Sequence, residues 1–155
     1  MNSSILWVED DPNDIILVGR ALGKLQFPMP VHVRDGEEAV NYLSSVVQDR
    51  GSGKPDVPSL VLLDLKLPRL SGLEVLKWVR LQPGLRRLPV LIFTSSTELF
   101  DINRAYDLGA NAYLIKPVDF ATLLQLFQRI QDFWLSTNRP PEIGPTRGSP
   151  TGEKR

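Results

Sequence analysis

Leu60-Val61-Leu62-Leu63-Asp64-Leu65-Lys66-Leu67-Pro68-Arg69-Leu70-Ser71-Gly72 decides how this chain folds. Its first four residues are continuously apolar, the pattern of a strand buried on both faces in a parallel sheet. The run stops at a carboxylate, turns through Leu67-Pro68, and reaches Ser71-Gly72, where Leu73, Val75, Leu76 and Val79 supply the apolar face of a helix. Pro83-Gly84 ends that helix. One βα unit is therefore written into some twenty-five residues, and its neighbours repeat the design.

Upstream, a first strand near residues 4 to 8 runs into Glu9-Asp10. Asp11 is a helix cap, Pro12 the first helical position, and Ile15, Ile16, Val18, Ala21 and Leu22 the apolar face. Asp14 reads as another acid of the capped, solvated first turn. Val31-His32-Val33 is the second strand, with a structural role for His32 away from the ligand-binding edge, and Asp35-Gly36-Glu37-Glu38 opens a helix carrying Ala39, Val40, Tyr42 and Leu43. Residues 47 to 59 form a polar loop. Downstream, a strand over residues 89 to 93 delivers Thr94, a helix follows over residues 97 to 107, and Gly109 is its left-handed stop. Ala112 to Ile115 forms the fifth strand and precedes Lys116-Pro117; the last helix runs from about Asp119 to about Trp134. Five such units predict an α/β three-layer sandwich, a five-stranded parallel sheet with five helices.

From Asn138 onward, four prolines and three glycines share eighteen residues, which predicts a disordered tail over residues 137–155 behind a folded domain over residues 3–136. A chain of 155 residues with 42% hydrophobic content fits one such core. Eighteen basic residues balance eighteen acidic ones, so no overall field draws the protein to nucleic acid or an anionic membrane. With no cysteine and a single histidine, His32, disulfides, thiol catalysis and clustered zinc ligands are excluded. No apolar run approaches the ~20 residues needed to span a bilayer, and no secretory leader is recognisable at Met1-Asn2-Ser3-Ser4, so a cytoplasmic location is expected.

The carboxyl ends of parallel strands share one edge, and ligands bind in the crevice beyond it. Glu9, Asp10, Asp64, Thr94 and Lys116 all fall there. Carboxylates brought together repel one another unless a hard cation such as Mg²⁺ lies among them. A metal beside a carboxylate, a hydroxyl and an ammonium is equipment for phosphoryl transfer.

The ordered set Val8-Glu9-Asp10, Leu63-Asp64-Leu65 with Leu67-Pro68 and Gly72, Thr94-Ser95 and Lys116-Pro117 resembles the receiver domain of two-component response regulators, of the CheY-like superfamily, over roughly residues 3 to 136. The resemblance implies a flavodoxin-like receiver fold with strand order 2-1-3-4-5. It implies that Asp64 accepts a phosphoryl group from a sensor histidine kinase, with Mg²⁺ held by Asp10, Asp64, the backbone carbonyl of Lys66 and, through a water, Glu9. Lys116 then pairs with a phosphate oxygen, and the Lys116-Pro117 bond is expected to be cis. Thr94 and Tyr113 are the implied switch, reshaping the face made by the fourth helix, fifth strand and fifth helix. The chain departs from the family at Lys66, Ser96 and Ser71, the first two at positions that tune acyl-phosphate lifetime.

Two other functions compete with a phosphoacceptor switch that is not itself a classical enzyme. An aspartate-nucleophile phosphohydrolase would be expected to place an acid two residues after Asp64, where Lys66 stands, and a receiver-like adaptor that never carries phosphate would be expected to have lost part of the pocket. Leu126, Phe133 and Leu135 widen the apolar stripe of the last helix to about half its surface, beyond the ~100° a single buried face needs, and suggest a homodimer through the helix-four to helix-five face. The opening Ile5-Leu6-Trp7-Val8-Glu9-Asp10-Asp11-Pro12, the loop Gln48-Asp49-Arg50-Gly51-Ser52-Gly53-Lys54-Pro55 and the segment Arg104 to Tyr113 are similar to regulators paired with bacterial phytochrome kinases. That likeness implies a bacteriophytochrome as partner. The same loop also reads as an insertion in an exposed connection, where added length costs little.

Overall fold

The computed structural model describes residues 4–48 and 57–143. Strands β1 (Ile5–Val8), β2 (Val31–Val33), β3 (Leu60–Leu63), β4 (Val90–Thr94) and β5 (Ala112–Ile115) form one parallel sheet in the order β2-β1-β3-β4-β5. Helices α1 (Pro12–Lys24), α2 (Gly36–Gln48), α3 (Gly72–Leu81), α4 (Leu99–Asp107) and α5 (Phe120–Ile130) cover its two faces.

Alternation along the strands divides the core. Ile5, Trp7, Leu60, Leu62, Leu91 and Phe93 pack with Val18 and Leu22 of α1 and Leu123 and Phe127 of α5. Leu6, Val8, Val61, Leu63, Val90 and Ile92 face the other way, toward Leu43 of α2, Val75, Leu76 and Val79 of α3 and Ala105 of α4. The central strands β1, β3 and β4 are buried on both faces, which is why they read as unbroken apolar runs.

The helix starts follow the expected local chemistry. Asp11 caps α1 by accepting from the backbone N–H groups of Asn13 and Asp14, with Pro12 at the first position. Ser71 and Glu74 form a reciprocal capping box at α3, so serine supplies the turn's cap in place of the family's common aspartate. Gly109 ends α4 at φ +100°. The fourth helix begins at Leu99, two residues later than expected, with Glu98 at its N-cap and the Glu98 N–H donating to the Ser96 hydroxyl.

The last helix departs further from expectation. After Ile130 the chain widens into a π-helical segment, Gln131–Thr137. Ser136 and Thr137 donate their hydroxyls to the carbonyls of Gln131 and Asp132, five residues back, which favours the wider turn. The structure also corrects the reading of its apolar surface: Leu126, Trp134 and Leu135 pack against the α1–α5 side of the core, leaving Phe133 exposed. Ile143 packs against the opposite cluster. The rest of the expected tail, residues 144–155, and residues 49–56 of the expected loop lie outside the described residues.

Arg80, near the end of α3, ties the lower edge of the sheet together. Its guanidinium donates to the carbonyls of Gly109 (2.9 and 2.7 Å), Leu88 (2.7 Å) and Arg86 (3.1 Å) and to Asn111 Oδ1 (2.9 Å). Asn111 Oδ1 in turn accepts from the N–H of Val90 at 2.8 Å. Burial lowers the Arg80 pKa from its ordinary value. Arg80→Met leaves these acceptors without their donor, the Leu88 and Gly109 carbonyls among them partly buried. It is expected to destabilise the fold by about 2–4 kcal/mol, with Arg80→Lys recovering less than half of that, since hydrogen bonds to a charged group each contribute about 1.5–3 kcal/mol; urea unfolding measures both.

Candidate metal and phosphoryl site

Carrying the alternation of each strand one step further explains the site. Glu9 follows Trp7, Asp64 follows Leu62, and Lys116 follows Leu114, all residues of the α1–α5 face. Their side chains therefore converge on one side of the carboxyl edge. Lys116 Nζ lies 2.6 Å from Glu9 Oε1, 2.7 Å from Asp64 Oδ2 and 2.8 Å from Asp14 Oδ2. Only 9% of the Lys116 side chain is exposed. The Lys116 ammonium stands over the ring of Phe93, 5.8 Å from its centroid.

The expected cis bond at Lys116-Pro117 is not found: no peptide bond among the described residues is cis. Strand alternation already aims Lys116 into the hollow, and its backbone N–H is held by Thr94 O at 2.8 Å.

Carboxylate oxygens of Glu9, Asp10 and Asp64 can all lie within 4.8 Å of one another. Glu9 is fully buried, Asp64 nearly so, and Asp10 half-buried. Burial pushes the Glu9 carboxyl up to about 8, against the pull of Lys116 and with the added repulsion of Asp64. Lys116 is driven in the charged direction: burial opposes its charge, but hydrogen bonds to Asp14, Asp64 and Glu9 outweigh that cost and raise its pKa. Glu9, Asp14 and Asp64 at one ammonium, with Asp10 beside them, outnumber the positive charge they share, and an oxygen-lined hollow of this kind fits a hard divalent cation.

A stability prediction follows from that surplus. Without divalent metal, Asp10→Asn is expected to melt higher than the wild type, by about 1–2 kcal/mol of stability, because one charge of a crowded set is removed. Added Mg²⁺ should raise the wild-type melting temperature and leave the variant nearly unmoved. Calorimetry with and without the ion checks it, and equal stabilisation of both proteins would place the ion elsewhere.

Thr94 and Tyr113 belong to the opposite face. Thr94 ends β4 fully buried, and its Oγ1 has no hydrogen-bond partner among the described residues. Such a buried hydroxyl is costly to leave unpaired. Tyr113 packs against the α2–α4 cluster and donates its hydroxyl to Ser96 O at 2.9 Å. Ser96 Oγ donates to Asp101 Oδ2, tying the β4–α4 connection to the first turn of α4. The β3–α3 connection passes so near Asp64 that a Cβ on Gly72 would lie 2.0 Å from the Asp64 carbonyl oxygen. Glycine is required there by contact alone.

Two contacts were missed in the sequence. Asp14 turns onto Lys116 instead of remaining in a solvated turn; the available signal was its place one turn before Val18, on the stripe continued by Ala21 and Leu22. His32 is not remote from the site: its Nε2 lies 2.9 Å from the backbone carbonyl of Glu9, and its ring stacks at a tilt on Trp7, centroids 4.5 Å apart. A carbonyl only accepts, so Nε2 carries the hydrogen. No sequence signal marks this, because it depends on the β1–β2 register that sets Trp7 beside His32.

A five-stranded parallel sheet of this order, with acids, a hydroxyl and an ammonium gathered at its carboxyl edge, defines a receiver domain. The response regulator receiver domain family model matches residues 5–128, and the chain belongs to that family. It is 40% identical over 138 residues to the probable methanogenesis regulatory protein FilR2 of Methanothrix harundinacea, covering 88% of this chain and 86% of that one. With response regulator Rcp1 of Synechocystis it shares 36% identity over 134 residues, covering 86% and 89% of the two chains. The phosphorylated cyanobacterial phytochrome response regulator RcpA superposes with a TM-score of 0.79 at 38% identity, covering 92% of this chain and all of that one. Rcp1 has also been solved in a Mn²⁺-bound form, which matches at a TM-score of 0.73. The protein is thus a response regulator close to those of phytochrome systems; phosphorylation on aspartate and binding of a divalent metal are typical of its family, and its relatives imply a sensor histidine kinase as partner. No described helix is long and apolar enough to cross a membrane.

Proposed function

We propose that Asp64 is the phosphoacceptor and that Mg²⁺ is the working cation, held by Asp10, Asp64 and the Lys66 backbone carbonyl, with Glu9 on a bound water. The observation that supports this reading is the joint placement of Asp64 against both the acid group and Lys116 Nζ. Bound there, the cation neutralises the acids and the charge of the donor phosphoryl. A carboxylate attacks phosphorus without a general base, so Asp64 needs no such partner. One Asp64 carboxylate oxygen forms a bond to phosphorus as the P–N bond of the donor phosphohistidine breaks, and the released imidazole nitrogen takes up a proton. Lys116 holds a phosphoryl oxygen through a charge-assisted hydrogen bond.

The phosphoryl group then recruits the unpaired hydroxyl of Thr94, and the segment linking it to Tyr113 through Ser96 changes the α4–β5–α5 face. Leu99, Phe100, Tyr106 and Ile115 are exposed on α4 and β5, an apolar surface suited to a second copy of the chain. The donor we propose is a bacteriophytochrome histidine kinase, in keeping with the phytochrome response regulators to which the chain is similar, and the location cytoplasmic.

Incubation with acetyl phosphate and Mg²⁺ tests the core of this reading. A base-labile phosphoryl adduct that forms only with the divalent ion is expected. Continuous release of inorganic phosphate from unrelated phosphomonoesters would support the hydrolase alternative, and no adduct under any condition the adaptor.

A further inference from the structure

Lys116 is crowded. Its ammonium donates to Asp64 at 2.7 Å and Asp14 at 2.8 Å, and Glu9 Oε1 lies 2.6 Å away as a third ion-pair partner. Glu9 and Asp64 have other work in the hollow, as members of the group whose oxygens can surround a cation. Asp14 is outside that group. It is not the cap of α1 either, because Asp11 takes the N–H groups of Asn13 and Asp14. With 31% of its side chain exposed, Asp14 stands at the solvent side of an ammonium that is otherwise sealed.

We infer that Asp14 is a brake on phosphoryl transfer. It occupies one of the three ammonium hydrogens, and it sets a negative charge at the mouth through which an anionic donor approaches. The inference rests on the reading of Asp64 as acceptor. As the Asp64 oxygen bonds to phosphorus, the phosphoryl oxygens bring about two negative charges to Lys116. Lys116 meets them by releasing a carboxylate already bound. Replacing Asp14 with its neutral isostere lowers both obstacles at once, and Glu9 and Asp64 still hold the lysine in place. Asp14 is thus a positioning residue that acts through Lys116.

The test uses the full chain as wild type, Asp14→Asn and Asp14→Glu, with acetyl phosphate as donor and saturating Mg²⁺. The Asp64 oxygen–phosphorus bond forms, the bond from phosphorus to the acetyl oxygen breaks, and acetate leaves; the rate of phosphoaspartate formation is read by mass spectrometry at several salt concentrations. Asp14→Asn is expected to react about three- to tenfold faster than wild type at low ionic strength, with the gap narrowing as salt screens the charge. Asp14→Glu, which keeps the charge, is expected to stay slow. A purely structural role for Asp14 would not produce that salt dependence. A labelled wild type with an Asp14→Asn protein that is equally fast or slower overturns this inference alone, as does an Asp14→Glu protein as fast as Asp14→Asn. A wild type that gains no phosphoryl group on Asp64 overturns the acceptor reading, and this inference with it.

Discussion

Asp64→Asn protein is expected to take up no phosphoryl group from acetyl phosphate or from a phosphorylated kinase, while folding as the wild type does. The amide keeps the size and planarity of the carboxylate, so the close passage of Gly72 and the hydrogen bond from the Lys66 N–H at 3.3 Å remain possible. What disappears is the ionised oxygen that attacks phosphorus, and a neutral amide is a poor nucleophile. The neighbouring acids cannot replace it. Glu9 is sealed from solvent, and Asp10 is not among the acids that meet the Lys116 ammonium in the described residues. The measurement is labelling followed by intact-mass analysis. Full residual labelling would move the acceptor to another residue, and the assignments of Thr94 and Lys116 would move with it.

Thr94→Ala is expected to separate phosphorylation from output. The substitution removes a buried hydroxyl that has no partner in this state, so the unphosphorylated fold should lose little stability. The labelled protein, by contrast, loses the group that registers the phosphoryl oxygen on the β4 side. Shifting a two-state switch from 1% to 99% active takes about 5.5 kcal/mol of preferential stabilisation. A hydrogen bond to a charged group contributes about 1.5–3 kcal/mol, so its loss lowers the active fraction from 99% to between about 90% and about 40%. Sedimentation of wild-type and variant proteins, each with and without a phosphoryl mimic, checks the effect. Wild-type protein should associate when the mimic binds, and Thr94→Ala should bind the mimic yet associate more weakly; an undiminished response in the variant would remove Thr94 from the switch.

The sheet was legible because its central strands are apolar on both faces and stop at polar residues, so strand ends and site residues were found by the same reading. Asp64, Thr94 and Lys116 are legible for that reason: each stands at the end of a run such as Leu60–Leu63 or just past one. Helix starts were legible through Asp11-Pro12 and Ser71-Gly72, whose side chains act within a turn of their own position. Contacts that join distant elements were not. Arg80 could not be matched with Gly109 and Asn111 from sequence, since solvated and carbonyl-bound arginines are written alike. His32 needed the strand register, and the π-helical turn at Gln131–Thr137 depends on where Trp134 and Leu135 find core to cover. Asp14 was partly visible. An acid on the inward stripe of an amphipathic helix facing a site calls for a partner, and local capping at Asp11 masked the signal.

The central claim is geometric: segments far apart in sequence bring Asp10, Asp64, Thr94 and Lys116 to one hollow that holds a cation and a phosphoryl group. Crystals grown with Mn²⁺ and trifluoroberyllate, a phosphoryl mimic, test it directly, with the anomalous signal of manganese locating the ion. The account predicts one ion within about 2.0–2.3 Å of oxygens from Asp10 and Asp64, the mimic on Asp64, and Lys116 and Thr94 in contact with its fluorines. An ion bound elsewhere, or a mimic that leaves Thr94 Oγ1 and Lys116 Nζ out of reach, would contradict it.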